Sequence, residues 1–179
     1  MEKIKDYNLS FGGLKLGENE FVFKITQPFF DLFEFNQDFR SPELEIRMLL
    51  DKKNNFLDLK PELHGSVELD CDLTNEAYRQ EISGTTEILV KFGEEFDDSD
   101  DEVWILPQGE NKVNVAQLFY EMTLLALPAK RIHPDVLHGK SHSDMLELLE
   151  KYSPEAEENL NDEEVADPRW EQLKKLKES

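Results

Sequence analysis

Along residues 20–26 polar and apolar side chains alternate, with Phe21, Phe23 and Ile25 on one side and Glu20, Val22 and Lys24 on the other. A period of two predicts a half-buried β-strand. Leu44, Ile46, Met48 and Leu50 repeat the pattern. It is clearest over residues 62–73, where Leu63, Gly65, Val67, Leu69, Cys71 and Leu73 oppose Glu62, His64, Ser66, Glu68, Asp70 and Asp72. Thr74-Asn75-Glu76 supplies turn chemistry. A further strand over 82–92 places Ile82, Thr86, Ile88, Val90 and Phe92 in one phase. Long strands with one apolar face, separated by turn residues, predict antiparallel pairing.

The period then changes. Asn114 precedes Val115 and has Gln117 three residues on, a capping-box pattern that predicts a helix over 114–127. That helix is apolar on nearly every side, which predicts burial against the sheet, and Pro128 stops it. From Ala129 the chain is polar, with a short helix predicted over 143–152 through Met145, Leu148, Leu149 and Tyr152. Asp167-Pro168 is a second start signal, an acid at the N-cap followed by proline at the first helical position. It opens a terminal helix over 168–177 with Trp170, Leu173 and Leu176 on a narrow stripe and Lys174, Lys175 and Lys177 at the end where cations favour the dipole. The fold class expected is α+β, a mainly antiparallel, curved sheet packed against one buried helix, with a partly ordered helical C-terminal tail. Residues 1–128 form the core domain and 129–179 a polar, acidic tail.

Charge refines this picture. The 179 residues hold 20 Lys and Arg against 40 Asp and Glu, a formal net charge of −20. Such a balance excludes affinity for naked nucleic acid or an anionic membrane as a property of the whole surface. Yet 39% hydrophobic residues and twelve Phe are enough for a core. The acidity is local: residues 94–102 and 155–167 each carry seven acids and no base, which leaves −6 for the rest of the chain. Residues 94–102 are expected to form a solvated loop. The single cysteine, Cys71, excludes an internal disulfide and any CxxC zinc or redox site. Residues 1–10 lack the apolar run of a secretory signal, and 113–127, interrupted by Asn114, Gln117 and Glu121, is too short to span a bilayer. A soluble, cytoplasmic protein is expected.

Motifs for chemistry mostly fail on spacing. Residues 134–141, Pro-Asp-Val-Leu-His-Gly-Lys-Ser, match a phosphate-binding loop except at the first glycine, where proline stands, and no strand is predicted immediately before them. A turn leading into a helix explains them, and no nucleotide is expected. Asp98, Asp100 and Glu102 alternate as in a calcium loop, but Val103 stands where the bend needs glycine and Gly109 where the bidentate acid belongs. His133, His138 and His142 with Asp135 and Asp144 have ligand chemistry, while Gly139 weakens the helix that would gather them; surface histidines are the simpler reading. His64 falls on the polar phase of its strand, and Cys71 on the apolar phase, where a thiol is an inert core residue. No G-x-S-x-G surrounds a serine, and with 40 carboxylates a pair at glycosidase spacing is uninformative. No cofactor, metal or catalytic residue is expected.

One order of features is more specific. An acidic loop, a short apolar strand, Gly109-Glu110, Val113 and Asn114, a helix ending Leu124-Leu125-Ala126-Leu127-Pro128, and a terminal Asp167-Pro168-Arg169-Trp170 followed by Leu173-Lys174-Lys175-Leu176 resemble the bacterial YceD family. Its members are called large ribosomal RNA subunit accumulation proteins. The strand of Gly65 to Leu73 is also similar to one in which the family carries a cysteine at the place of Cys71. The chain departs from the family where many members have a second cysteine, here Thr74, and further cysteines past the leucine-proline, here Lys130, Arg131, His133 and His138. A zinc-like cluster is therefore not carried over.

The resemblance implies a role in accumulation or processing of large-subunit (23S) ribosomal RNA and implies no known catalytic activity. In one reading, Glu94, Glu95, Asp97, Asp98, Asp100, Asp101 and Glu102, with residues 155–167, hold a basic ribosomal protein or rRNA-processing factor until rRNA displaces it. A charge run that only maintains solubility explains the same acids. In another, Lys130, Arg131, His133, Arg169, Trp170, Lys174 and Lys175 touch pre-rRNA. An acidic adaptor unrelated to rRNA and a carboxylate-metal nuclease are the alternatives. The nuclease needs three or four acids converging on one ion, which acids strung along a run do not preorganise.

Overall fold

The computed structural model describes residues 4–100, 102–138 and 151. The chain divides into two compact units, Met1–Ser143 and Asp144–Ser179, and every described residue except Lys151 lies in the first. A 3₁₀ turn (Ile4–Tyr7) leads into β1 (Asn8–Ser10), β2 (Gly17–Thr26), α1 (Gln27–Phe30), β3 (Arg40–Lys52) and β4 (Phe56–Asp70). There follow β5 (Ala77–Thr85), β6 (Ile88–Gly93), β7 (Val103–Pro107), β8 (Lys112–Asn114), α2 (Ala116–Leu125) and α3 (Pro134–Leu137). The main sheet runs β2-β3-β4-β6-β7, with β5 also on β4, and β1 pairs β8 in a separate two-stranded ribbon. All pairings are antiparallel except β6 with β7. The sheet-rich, mostly antiparallel character expected from the alternation holds.

The predicted phases hold as well. Ile25, Ile46, Met48, Leu50, Leu59, Leu63 and Val67 are all 0% exposed on the inner face, each removal from water being worth about 1.5–3 kcal/mol. Phe29, Phe30 and Phe119, also 0% exposed, fill the space over them. Tyr7 packs edge-on against Phe29 at 4.7 Å, and Phe23 against Phe119 at 5.0 Å. Gly65 has φ +151° and lies beside the register irregularity between Arg40 and Glu43. A Cβ there would collide with the Glu43 carbonyl oxygen, and the backbone of Leu44 lies 2.7 Å from its position, so β3 crosses β4 at a place only glycine allows.

Boundaries differ from expectation for one shared reason, Pro61. The strand expected to begin at residue 62 begins at Phe56, six residues earlier in the same alternation. The strand expected over 82–92 is two strands, parted at Thr86 and Glu87. Thr85 faces Glu62 and Ile88 faces Leu59, so the register is unbroken across the gap. The Thr86 N–H donates to the Pro61 carbonyl at 3.4 Å, and proline has no N–H to return. The ladder therefore lapses for two residues and resumes.

The helix expected over 114–127 is shorter, Ala116–Leu125, with Val115 at the N-cap. Asn114 stays in β8 and accepts from the Ala116 N–H at 3.1 Å, while Gln117 turns outward to Glu121 at 2.8 Å, so no capping box forms. Nor is the helix buried all round. Leu118, Phe119 and Met122 face the core, whereas Gln117, Glu121, Leu124 and Leu125 are exposed, Leu125 by 85%. The terminal helix over 168–177 and most of that over 143–152 lie outside the described residues.

Candidate functional site

The acidic segment between β6 and β7 is exposed at every described position from Glu94 to Glu102, as expected, but it does not simply hang in solvent. Its path is fixed by backbone. Asp97 and Ile105 exchange two bonds, N–H to O at 3.0 and 2.7 Å, so the segment runs for one residue pair as an extra strand outside β7. The Asp97 side chain accepts from the Ser99 N–H at 3.0 Å, and Asp100 accepts from the N–H groups of Glu102 at 2.9 Å and Val103 at 3.2 Å. Hydrogen bonds from the side chain and backbone of Ser99 hold the Asp97 carboxyl below the usual carboxylate range. Two of the acids thus shape the loop. Glu94, Glu95 and Asp98 have no hydrogen-bond or ion-pair partner among the described residues; Asp101 lies outside them.

A groove of about 630 Å³ opens between this loop, α2 and the junction of β5 and β6. Apolar groups make its body: Trp104, Leu118, Met122 and Leu125, with Phe96 standing 55% exposed at the mouth. Asp98, Asp100 and Glu121 line it among the polar groups. The sequence marks the loop acids as interaction candidates but gives no such mark to Phe96, Leu125 or the strand junction. Their signals were faint: one phenylalanine inside an acidic run, and a helix whose apolar residues wrap too far round to be covered by a single sheet.

The basic candidates are placed differently. Lys130 is exposed. Arg131 is half-buried and acts as a clasp: its N–H donates to Asp72 Oδ2 at 2.8 Å, its carbonyl accepts from Asp72 N–H at 2.7 Å, and its guanidinium reaches the Asp38 carbonyl at 3.1 Å. Its neighbour His133 donates its backbone N–H to the Cys71 thiol at 3.3 Å, and its ring packs edge-on to Tyr78 at 5.5 Å. The ring Nδ1 accepts from the Asp135 N–H at 3.0 Å, which assigns the proton of the neutral imidazole to Nε2. The chain therefore does not leave the sheet at Pro128. Its course through Arg131 and His133 is stitched to the turn after β4. Arg169, Trp170, Lys174 and Lys175 lie outside the described residues.

Cys71 is 2% exposed, as its apolar phase implied. Burial pushes its thiol up, but hydrogen bonds from the Thr74 hydroxyl and from the backbone N–H groups of His133, Leu73 and Thr74 outweigh that and bring it below the ordinary thiol range. Beside it the Tyr78 hydroxyl is buried without a hydrogen-bond partner, and burial raises it above the usual phenol range. Thr74, through its hydroxyl, and His133, through its backbone N–H, thus both hydrogen-bond to Cys71. Among the described residues no three His, Cys, Asp or Glu are placed to hold a metal ion. Pro134–Leu137 forms the short α3 and follows a coil, not a strand, so the phosphate-loop spacing has no matching context. No helix among the described residues is long and apolar enough to cross a membrane.

All four described arginines are tied to carboxylates: Arg40 to Glu68 at 3.0 Å and Asp70 at 2.6 Å, Arg47 to Glu45 at 3.1 Å, Arg79 to Glu43 at 2.8 Å, and Arg131 to Asp38 at 3.5 Å. Lys60 bridges Asp58 at 3.0 Å and Glu87 at 2.9 Å. Lys52 donates to the carbonyls of Phe11 and Leu14 at 2.8 and 3.0 Å.

No curated protein and no solved structure matches the chain. The family model for the large ribosomal RNA subunit accumulation protein YceD matches residues 59–177, from near the start of β4 through the acidic loop and α2 to the last lysine. With most of its length matched, the chain belongs to the YceD family, whose name ties it to ribosome biogenesis and the accumulation of large-subunit ribosomal RNA.

Proposed function

We propose that the chain supports large-subunit rRNA accumulation without catalysis, by holding a basic ribosomal protein or rRNA-processing factor on its acidic loop. The observation that carries this reading is the asymmetry of the charges. Every described arginine is neutralised within the fold, while Glu94, Glu95 and Asp98 project from a loop whose shape other acids maintain. Carboxylates held this way steer a Lys- and Arg-rich partner and release it when phosphate competes, because the attraction is screened over about 8–10 Å at cellular salt.

A direct grip on pre-rRNA draws less support. Of its described candidates Arg131 serves as a clasp and His133 is packed on Tyr78, which leaves Lys130 exposed and unpaired. A carboxylate nuclease draws less still, since Asp97 and Asp100 are engaged in shaping their own loop. The test is retention of purified large-subunit ribosomal proteins on the immobilised chain at low and moderate salt, alongside gel shifts with rRNA fragments. A basic protein retained at low salt and released at moderate salt is expected. Retention of none, or a gel shift lost on Lys174→Glu with Lys175→Glu, would replace the protein partner with rRNA.

A further inference from the structure

One edge of the main sheet is left open where the groove begins. β5 and β6 continue one another along the same side of β4, and β7 covers the outer side of β6 only, its first residue Val103 lying beside Leu89. Beside β5 no strand follows among the described residues. Which groups face the opening follows from the ladder. The Thr86 N–H points to Pro61 in β4, and the Leu89 N–H points the other way, to the Glu102 carbonyl. Because backbone groups alternate along a strand, Ser83 and Thr85 turn their N–H and C=O groups outward. Glu81 belongs to the same set, and its carbonyl is taken by the Gln80 side chain at 2.7 Å. Ser83, Gly84, Thr85, Thr86 and Ile88 line the groove.

We infer that this edge is a docking site for an extended, Lys- or Arg-rich peptide segment, which adds to the sheet as a strand on β5, in line with β7. Three features fix the kind of occupant. The backbone of Ser83 and Thr85, unpaired on its outer side among the described residues, asks for another backbone. The groove beside it, with Trp104, Met122 and Leu125, takes apolar side chains from alternate positions of such a strand. Asp98, Asp100 and Glu121 line the same groove and favour cations on the remaining positions, with the exposed Phe96 ring offering a face to a guanidinium. A neutral or acidic strand meets the same edge without that attraction. The inference rests on the proposed basic partner and names how part of it is held.

The probe is a fluorescein-labelled seven-residue peptide alternating Lys and Val, titrated onto the full chain and followed by anisotropy, with a Glu-Val peptide and a Lys-Val peptide N-methylated at alternate residues beside it. Saturable binding of Lys-Val is expected, at least tenfold weakened by the N-methyl groups, by Asp98→Lys with Glu121→Lys, and by Leu125→Asp, whose exposed position leaves folding intact. In amide exchange, Ser83 and Thr85 are expected to gain protection with the peptide bound. Equal binding of the N-methylated peptide, or protection absent at those two amides, would overturn strand addition. Binding of Glu-Val as strong as Lys-Val would overturn the basic occupant, and concentration-dependent dimers with the edge protected in the free chain would assign it to a second copy. If Leu125→Asp, which leaves the loop acids in place, abolishes neither peptide binding nor retention of basic ribosomal proteins, the docking site fails while the proposed function stands.

Discussion

Two charged regions of one small molecule behave in opposite ways. On the outer face of β3, β4 and β5, Arg40, Arg47, Lys60 and Arg79 meet carboxylates of neighbouring strands or of their own, and Arg131 reaches Asp38, just before β3. At the β6–β7 connection, the described acids stand without cations among the described residues, and the loop that carries them is held by backbone bonds and by two of its own aspartates. In the first region charge is consumed by the fold. In the second it is displayed. A net charge of −20 is thus a poor guide to what the surface offers, and the placement of the unpaired carboxylates a better one.

The comparison is broken most severely at Gly65, which lets β4 pass the bulged stretch of β3 that ends at Glu43, the partner of Arg79. Gly65→Ala drives a Cβ into that backbone at positive φ and is expected to lose about 3 kcal/mol or more in urea unfolding. Next comes Arg131→Ala, which removes the half-buried reach to Asp38 and costs about 1–2 kcal/mol. Binding of a basic partner should be unchanged by it, which separates a clasp from a contact residue. Tyr78→Phe deletes a buried hydroxyl that has no partner and is expected to stabilise by about 1 kcal/mol at neutral pH. The phenol is raised in the folded state, so its contribution is present below the ordinary tyrosine range and fades as pH rises through the folded value. The variant should lose that alkaline decline in thermal melts.

A smaller effect tests the paired face by pH. The Arg40 guanidinium beside Asp70 holds that carboxyl below its ordinary value, and Lys60 does the same for Glu87. Groups depressed in this way contribute stability above the ordinary carboxylate range and lose it as pH falls through the folded value. Arg40→Gln is expected to flatten the acid limb of a stability-against-pH curve, and added salt should flatten it in the parent chain.

Much of this was legible in residues alone. Period-two alternation identified the inner faces of β2, β3 and β4 because those strands bury one side and wet the other. What escaped depended on contacts between distant segments. Pro61 reads as a reason to end a strand, yet its missing donor lies opposite Thr86, where it divides the neighbouring strand instead. The loop acids were named correctly as exposed, but nothing in a run of like charges tells that Asp97 pairs with Ile105 or that Asp100 caps its own turn. Arg131 reads as a surface cation, yet Asp72, far away in sequence, meets its backbone. The groove was least legible, since its walls come from β5, the acidic loop and α2.

The measurement that reaches the central claim most directly is the ratio of large- to small-subunit rRNA in cells lacking the protein and supplied with Glu94→Gln, Glu95→Gln, Asp98→Asn. These three acids support no bond among the described residues, so the variant keeps Asp97 and Asp100 to shape the loop and is expected to melt with the parent chain. The variant is expected to accumulate normally and to fail to restore the ratio. Full restoration by a loop stripped of its displayed charge would contradict the proposed function.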